Sequence, residues 1–299
     1  MKLSNLGEFG LIDLIAKRVA KLPSTFIGIG DDAAVLKAKG KYQLITTDTL
    51  IENVHFRLKT TSFFALGAKA MAANISDIAA MGGYPTHALV TIGLPKKITV
   101  GQVQQLYRGI NSLARKHKID IIGGDTIASP RAVMISITLL GEVEKGNLLL
   151  RSTARVGELI CVTGKFGGPA SQKYSLPLAA HRLRLSEARV LAKSHLATSM
   201  IDSSDGLVRS VLEICKASKV GARIYEDQVP IARGATLDQA LYGGEEYELV
   251  LTAPKKHLGR LKIKHKVAGE IVAKKQGVKL VDAYGKIKSL KSGGYEHFK

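Results

Sequence analysis

The sequence predicts an α/β protein with two domains, because the chain is long, strand-like and helix-like runs alternate, and one polar stretch divides it. Its 299 residues are enough for two hydrophobic cores. Short runs rich in Ile, Val and Thr favour strands, and longer amphipathic runs between them favour helices. The polar, glycine-containing stretch Glu144–Gly157 predicts the boundary between an N-terminal domain at 1–145 and a C-terminal domain at 146–299.

The first domain is predicted to contain strands that alternate with two helices. One helix begins near Ser62, a suitable N-cap residue, and ends at Gly82 and Gly83, since glycine favours a helix stop. The other helix begins near Thr99 and carries an apolar stripe. The predicted strands are Gln43–Thr47, Ala88–Leu94, Ile119–Ile122 and Val133–Leu140.

An amphipathic helix is predicted near the N-terminus, where Glu8 and Asp13 interrupt the apolar stretch that a signal peptide would need. Its apolar face comprises Leu11, Leu14, Ile15 and Val19. The second domain is predicted to be a further α/β unit with a loop at Phe166–Pro177. Its predicted helices are Ser186–Ser194 and Ser204–Ser218, and its predicted strands lie near Thr163, Arg223, Glu248, Val267 and Val278.

The chain is basic, with 44 lysines and arginines against 25 aspartates and glutamates, and basic residues dominate from Lys255 to Lys299. Such a surface attracts anions, including nucleic acid. That stretch lacks interleaved aromatic residues and any nucleic-acid motif, so we favour a solvated face. Cys161 and Cys215 have no metal-ligand spacing, which favours a reduced, cytoplasmic protein. No run approaches the roughly 20 apolar residues of a membrane span.

Aspartates recur at the ends of predicted strands and beside glycines. Because strand ends share one edge of a sheet in α/β proteins, we expect these carboxylates to gather there. Such a cluster requires cations, and hard oxygen ligands on short spacers suit Mg²⁺. The alternative for Asp31 and Asp205 is a helix cap or a turn. The segments are Gly30-Asp31-Asp32, Thr46-Thr47-Asp48, Gly123-Gly124-Asp125-Thr126 and Asp202-Ser203-Ser204-Asp205-Gly206.

Asn74 and Asp77 are three residues apart in a predicted helix, so they share one helical face. The surrounding residues are small and apolar, which predicts that this helix is mostly buried. A buried aspartate needs a partner for its charge. The alternatives are a metal ion or an internal salt bridge, either to Lys69 or to a neighbouring strand.

The order and spacing of these motifs resemble the thiamine-monophosphate kinase family along nearly the whole chain. Several of the motifs also occur in the wider superfamily of aminoimidazole ribonucleotide synthetase, selenophosphate synthetase and a hydrogenase-maturation dehydratase. Three segments narrow the resemblance to the thiamine enzymes: Gly7-Glu8-Phe9, the block Thr47-Asp48-Thr49-Leu50 with His55-Phe56, and residues 243–249. The full set of matching segments is Gly7-Glu8-Phe9, 28–35, Thr47-Asp48-Thr49-Leu50 with His55-Phe56, 74–82, Gly123-Gly124-Asp125-Thr126, 202–207 and 243–249.

This resemblance implies an aminoimidazole ribonucleotide synthetase-like fold, in which the N-terminal domain forms a dimeric β-barrel and an α/β C-terminal domain covers the site. It also implies transfer of a phosphoryl group from ATP to thiamine monophosphate, assisted by several Mg²⁺ ions. The implied substrate-binding residues are His55 and Glu245, although Glu245 has an alternative role in a turn, paired with a lysine. The implied metal ligands are Asp32, Thr46, Thr47, Asp48, Asp77, Asp125, Asp202 and Asp205, and the implied ATP-binding residues are Gly124, Asp125, Arg151 and Ser204. Tyr107 matches a nucleotide-contacting position more loosely.

The sequence departs from the family pattern at three places, which bear on the identity of the substrate. Glu246 replaces an aspartate, the loop Phe166–Gln172 differs, and Ser292 stands near the position of an aromatic residue that covers the thiamine. The alternative functions are an ATP-using selenophosphate- or aminoimidazole-ribonucleotide-type synthetase and a basic nucleic-acid-binding protein. The selenophosphate enzymes normally carry an N-terminal cysteine or selenocysteine, and neither cysteine here lies near the N-terminus.

Overall fold

A computed structural model describes residues 2–171, 183–290 and 296–298 of the chain. Within these ranges, two β-sheets each pack against helices, which confirms the α/β fold class.

The first half comprises α1 (Leu3–Ala16), β1 (Thr25–Ile27), β2 (Ala34–Lys37), β3 (Lys41–Ile51), α2 (Phe63–Ala80), β4 (Tyr84–Leu94), α3 (Val100–His117), β5 (Asp120–Ala128) and β6 (Met134–Glu144). The second half comprises β7 (Leu159–Val162), α4 (Gly168–Ser171), α5 (Leu185–Ser194), β8 (Ser199–Asp202), α6 (Leu207–Ser218), β9 (Gly221–Tyr225), α7 (Leu237–Tyr242), β10 (Leu249–Ala253), β11 (Lys266–Val272), β12 (Val278–Val281) and β13 (Ile287–Ser289).

The first sheet has the strand order β1-β2-β3-β6-β4-β5, and helices α2 and α3 pack on its inner face. Both helices carry a glycine at their contact, so their backbones approach closely. A Cβ atom on Gly67 would lie 2.0 Å from the Leu106 carbonyl oxygen, and one on Gly109 would lie 1.9 Å from that of Phe64. Larger residues at either glycine would therefore push the helices apart.

The outer face of the first sheet is open to solvent in the described structure. Thr47 and Thr49 of β3 point to this face and are exposed, whereas their neighbours Thr46 and Leu50 are buried. Leu89 of β4 is 39% exposed on the same face, and most of the edge strand β5 is exposed. This face is polar in part, but it also presents apolar side chains that a second layer would cover.

The second sheet has the order β13-β12-β9-β11-β7-β10-β8 and is antiparallel except where β12 pairs with β9. One face packs against α6 and α7. The other face packs against α5, and Ala79 of α2 joins that core. Helix α2 therefore lies between the two sheets, and nearly all of its residues are buried. This position brings α2 side chains to the junction of the two halves.

Most predicted elements are present, with longer strands than the sequence indicated. The helix stop before Gly82 is confirmed, because α2 ends at Ala80. Both predicted N-caps are also confirmed: Ser62 Oγ accepts the Ala65 N–H at 3.2 Å, and Thr99 forms a capping box with Gln102. In the described ranges, no helix has both the length and the apolar character to cross a membrane.

The N-terminal helix and the predicted loop at 166–177 differ from expectation. Helix α1 is kinked at Gly7, where φ is 69°, and it ends at Ala16. Val19 therefore lies outside the helix, while Leu14 and Ile15 are 42% and 43% exposed. The loop contains the short helix α4, and its part beyond residue 171 falls outside the described ranges, as does Ser292.

Candidate active site

Three aspartates from three different elements meet at the junction of the two sheets; Asp32 and Asp202 are buried, and Asp77 is half-buried. Asp32 lies just before β2, Asp77 on α2 and Asp202 at the end of β8. Each offers a carboxylate oxygen, and these oxygens all lie within 4.8 Å of one another. Two hydroxyl groups fix the cluster: Thr46 Oγ1 donates to Asp77 Oδ2 at 2.6 Å, and Ser76 Oγ donates to Asp202 Oδ2 at 2.6 Å.

Arg151 supplies positive charge at one side of this cluster. It begins the 3₁₀ turn Arg151–Thr153, and its Nη2 donates to Asp32 Oδ1. Its Nε lies 3.6 Å from Asp31 Oδ1, and its backbone N–H donates to Asp31 Oδ2 at 3.2 Å. The guanidinium is therefore held between the two adjacent aspartates of the Gly30-Asp31-Asp32 segment.

Burial raises the pKa of every aspartate around the cluster. The pKa rises to about 7 for Asp31, to about 8 for Asp202, and to about 6 for both Asp48 and Asp205. Burial also raises the pKa of Asp77 well above its usual value, and the charges of neighbouring aspartates add to the rise. Near neutral pH, the protein without bound cations therefore keeps some of these carboxylates protonated.

This titration predicts that the metal-free protein loses stability as pH rises from about 5 to about 8. Because the folded-state pKa values exceed those of the unfolded chain, the folded state binds more protons in this window, and its stability falls as pH increases. Added Mg²⁺ should oppose the loss and release protons as it binds. Thermal unfolding with EDTA or Mg²⁺ at pH 6 and pH 8 measures both effects. A melting temperature with EDTA that rises between these pH values would contradict the prediction.

The residues of the cluster fit Mg²⁺. All the donors are carboxylate or hydroxyl oxygens, which are the hard ligands that Mg²⁺ prefers. Asp32 Oδ2 is buried, and no hydrogen-bond partner occurs for it within the described part of the chain. A buried, unpaired carboxylate oxygen is costly, and a cation at this place would satisfy it.

Asp48, Thr46 and Asp77 are on the inner side of the first sheet with the cluster, but two other predicted ligands are not. Thr47 faces the outer side of β3, where it accepts a hydrogen bond from Thr138 Oγ1 at 3.1 Å. Asp125 lies on β5, three strands from β3 in the sheet order, which corresponds to about 14 Å. Gly124 precedes it on the same strand, so both lie apart from the acidic cluster of their own chain.

Two cavities meet beside the aspartates. The smaller, of about 500 Å³, is lined by Asp31, Asp32, Thr46, Arg151 and Asp202. The larger, of about 920 Å³, has a lining that includes Asp48, His55, Asp77, Glu245, Tyr247 and His297. Glu8, Ser204 and Asp205 line both cavities. The acidic cluster therefore stands where two ligands in adjacent cavities would approach each other.

His55 and Glu245 lie together in the wall of the larger cavity. The backbone N–H of Ile51 donates to His55 Nδ1 at 3.0 Å, and burial lowers the pKa of this histidine. The Glu245 backbone N–H donates to the Ser204 carbonyl at 2.7 Å. Lys69 links the two residues, because its Nζ donates to Glu245 Oε1 and, at 2.9 Å, to the His55 carbonyl oxygen.

These contacts bear on the partners considered for Asp77 and Glu245. Lys69 pairs with Glu245, and Thr46 on a neighbouring strand donates a hydrogen bond to Asp77. Asn74 is fully buried, and its Nδ2 donates to the Ala70 carbonyl at 3.0 Å. The pairing of Glu245 with a lysine is thus observed, in the wall of the larger cavity.

The segment at 296–298 completes the larger cavity through contacts with α1 that no sequence pattern predicted. The Glu8 N–H donates to Glu296 Oε1 at 3.2 Å, and the His297 N–H donates to Glu8 Oε2 at 2.9 Å. The His297 ring lies edge-on to His55, with centroids 5.2 Å apart. Arg209 stacks on the Phe9 ring at 3.9 Å, beside this contact.

Glu246 and Tyr107, both noted in the sequence, line neither of the two cavities. The Glu246 side chain is buried and accepts the Gly167 N–H at 3.0 Å, so it supports the loop before α4. Burial raises its pKa to about 7. Tyr107 lies on α3 and packs against the core of the first sheet. This chain has Glu246 where the family has an aspartate, so the difference affects a side chain that stabilises the loop before α4.

Comparisons with known proteins agree with this geometry. The chain matches the AIR synthase related protein family in its N-terminal domain over residues 30–143 and in its C-terminal domain over residues 162–281. It is 33% identical to the thiamine-monophosphate kinase of Bacillus subtilis strain 168, over 98% of this chain and 100% of that protein. It is 38% identical to the thiamine-monophosphate kinase of Synechococcus elongatus, over 83% of this chain and 82% of that protein. The structure of AaThiL complexed with AMPPCP and TMP superposes with a TM-score of 0.86 at 31% identity, covering 99% of both chains.

Proposed function

Because the chain belongs to the thiamine-monophosphate kinase family, we propose that it transfers the γ-phosphoryl group of ATP to thiamine monophosphate, giving ADP and thiamine diphosphate. One observation carries the proposal: an acidic cluster, with Asp32 and Asp202 buried, lies between two adjoining cavities. A similar structure was solved with an ATP analogue and TMP together. We assign the nucleotide to the smaller cavity and thiamine monophosphate to the larger one.

The reaction needs two polyanions held in line rather than a strong base. The attacking oxygen belongs to the substrate phosphate, whose second pKa is about 6, so the group is already mostly dianionic at neutral pH. Mg²⁺, when bound, would neutralise charge on both phosphates and orient them. We propose that Asp32, Asp48, Asp77, Asp202 and Asp205 hold these ions, with Thr46 as a neutral oxygen donor.

Further residues of the chain bind and orient the reactants. Arg151 and Ser204 line the smaller cavity, where a fixed guanidinium would attract the phosphates of ATP. His55 and Glu245 line the larger cavity, and the Glu245 carboxylate would accept from the aminopyrimidine or lie against the thiazolium cation. We further propose a cytoplasmic location, in keeping with the free and buried Cys161 and Cys215.

The direct test is an assay of the purified chain with ATP, Mg²⁺ and a panel of phosphorylated metabolites that includes thiamine monophosphate. ADP and thiamine diphosphate should form in equal amounts only with thiamine monophosphate. Product from aminoimidazole-ribonucleotide precursors or from selenide would identify a synthetase instead. Salt-dependent DNA binding without ATP turnover would identify a nucleic-acid-binding protein.

Substitutions in the larger cavity should weaken thiamine monophosphate more than ATP. Glu245→Gln removes a charge at nearly constant volume, and His55→Ala removes a wall of the cavity. Each should raise the KM for thiamine monophosphate several-fold, to roughly 3–10 times the wild-type value, and leave the KM for ATP within about twofold. Steady-state kinetics with each substrate varied in turn measures both. Equal weakening of both substrates would place thiamine monophosphate elsewhere.

We propose that the chain forms a homodimer through the outer face of the first sheet. This face exposes Leu89, Ile122 and Ile127, the last two at 58% and 45%. Asp125 and Gly124 lie on the same sheet, apart from the cluster of their own chain, and a dimer would let them serve the site of the second protomer. We keep residues 1–145 as the proposed dimerising domain and 146–299 as the domain that completes the site.

Light scattering at micromolar concentration should give twice the mass of one chain. The shared site has a sharper test, because Asp77→Asn and Asp125→Asn would each be inactive alone. If Asp125 acts in the second protomer, mixing and re-forming the two variants restores about a quarter of the wild-type sites. A monomer in solution, or a mixture without activity, would contradict the shared site.

A further inference from the structure

Lys69 is a buried lysine whose ammonium group has two partners in the wall of the larger cavity. Its side chain is 9% exposed, which is uncommon for lysine because burying an ammonium group is costly without partners. Nζ donates to the carbonyl oxygen of His55 at 2.9 Å and contacts Glu245 Oε1. Both partners line the cavity that we assign to thiamine monophosphate.

The helix that carries Lys69 holds it in place, so Lys69 can fix the position of Glu245. Lys69 belongs to α2, whose residues are nearly all buried between the two sheets. Glu245, by contrast, lies in the segment between α7 and β10 and has φ of 64°, a left-handed conformation that is unfavourable for a residue with a side chain. Tyr247, two residues later, has φ of 51°. A strained segment keeps its conformation only where its surroundings hold it, and Lys69 holds Glu245 from 176 residues away.

Glu245 remains accessible while it is paired. Its side chain is 40% exposed, so one oxygen is held by Lys69 and the carboxylate still borders the cavity. The same ammonium group donates to the His55 carbonyl oxygen, and this hydrogen bond holds the turn from which the imidazole ring projects. One buried cation thus sets the relative position of the two residues proposed to contact the substrate.

We propose that Lys69 is a positioning residue that holds Glu245 and the His55 turn in the arrangement that receives thiamine monophosphate. This inference rests on the proposed function, since it assigns the larger cavity to that substrate. Substitution of Lys69 should therefore change the KM for thiamine monophosphate but not the KM for ATP. Within the described residues, neither Lys69 nor its two partners line the smaller cavity.

A double-substitution experiment tests the inference with full-length protein. Lys69→Met removes the ammonium group, Glu245→Gln removes its charged partner, and the double variant removes both. Lys69→Met should raise the KM for thiamine monophosphate about tenfold and leave the KM for ATP within about twofold. In the Glu245→Gln background, the same change should raise that KM by less, about threefold at most, because the ion pair is already absent and only the contact with the His55 carbonyl is lost.

Lys288→Met is the matched control, because Lys288 also forms an ion pair, 3.0 Å from Glu226, but lies at the surface outside both cavities. It should leave both KM values unchanged. If Lys69→Met fails to fold, Lys69→Arg keeps the charge in a different geometry and should show the same selective rise in KM. The KM of the Lys69→Arg variant for thiamine monophosphate is then compared with that of the double variant Lys69→Arg/Glu245→Gln.

Two results would overturn the inference. One is a folded Lys69 variant with unchanged KM for thiamine monophosphate. The other is an equal effect of the substitution with and without Glu245, or on both substrates, which is the result expected if Lys69 only supports the fold. A wild-type protein that does not phosphorylate thiamine monophosphate would instead reject the proposed function, so the two failures are distinguishable.

Discussion

The Asp77→Asn variant is expected to lose at least about 1,000-fold in kcat while keeping its fold. Asp77 lies at the centre of the acidic cluster, with carboxylate neighbours whose charges oppose its ionisation. The amide removes a ligand charge at nearly constant volume and still offers an oxygen to the Thr46 hydroxyl. It also removes repulsion, so the metal-free variant should be more stable than the wild type above pH 7.

Steady-state turnover at saturating ATP, thiamine monophosphate and Mg²⁺ measures the loss, and circular dichroism checks the fold. Asp48→Asn should behave in the same way, because Asp48 faces the cluster from β3. Asp227→Asn is a suitable control, since Asp227 is exposed and lines neither cavity. Near-normal activity in Asp77→Asn or Asp48→Asn would show that phosphoryl transfer does not depend on this cluster.

Arg151→Met is expected to combine a large loss of stability with a large loss of ATP affinity. The guanidinium is mostly buried between Asp31 and Asp32, and its removal leaves buried carboxylates without their cation. Breaking a buried ion pair from one side typically costs about 3–5 kcal/mol. The KM for ATP should rise by about 100-fold or more, because the same group faces the proposed phosphate site.

Chemical denaturation with and without Mg²⁺ separates the two roles of Arg151. Mg²⁺ should restore part of the lost stability, because it would also neutralise Asp32, whereas ATP affinity should stay low. Arg223→Met is the matched control: Arg223 pairs with Glu270 at the surface, where such pairs contribute about 0–1 kcal/mol. An Arg151→Met variant as stable as this control would mean that the aspartates need no guanidinium.

The sequence predicted the local parts of this structure well. The caps at Ser62 and Thr99 rest on contacts within three residues, and the burial of α2 follows from its run of small apolar residues. Strand lengths were underestimated because apolar runs mark only the buried part of a strand. Strand β3 continues through Thr47, Asp48 and Thr49, which alternate between the two faces of the sheet.

Local sequence patterns do not predict which distant segments contact each other. The expectation that aspartates gather at strand ends holds for Asp202 at the end of β8, whereas Asp48 lies within β3 and Asp125 lies within β5. The partner of Glu245 depends on how the segment after α7 meets α2, and no local pattern encodes that meeting. The same holds for Ser76, whose hydroxyl binds Asp202 from 126 residues away.

The contact between Glu8 and His297 has a consequence for the order in which the protein is made. The two residues are 289 positions apart, so at about 5–20 residues per second the ribosome needs roughly 15–60 s to progress from one to the other. During that time α1 lacks its contacts with residues 296–298, and the larger cavity lacks one wall. The nascent chain can form the acidic cluster before this wall exists, but the cavity proposed for thiamine monophosphate is complete only after residue 298 has left the ribosome.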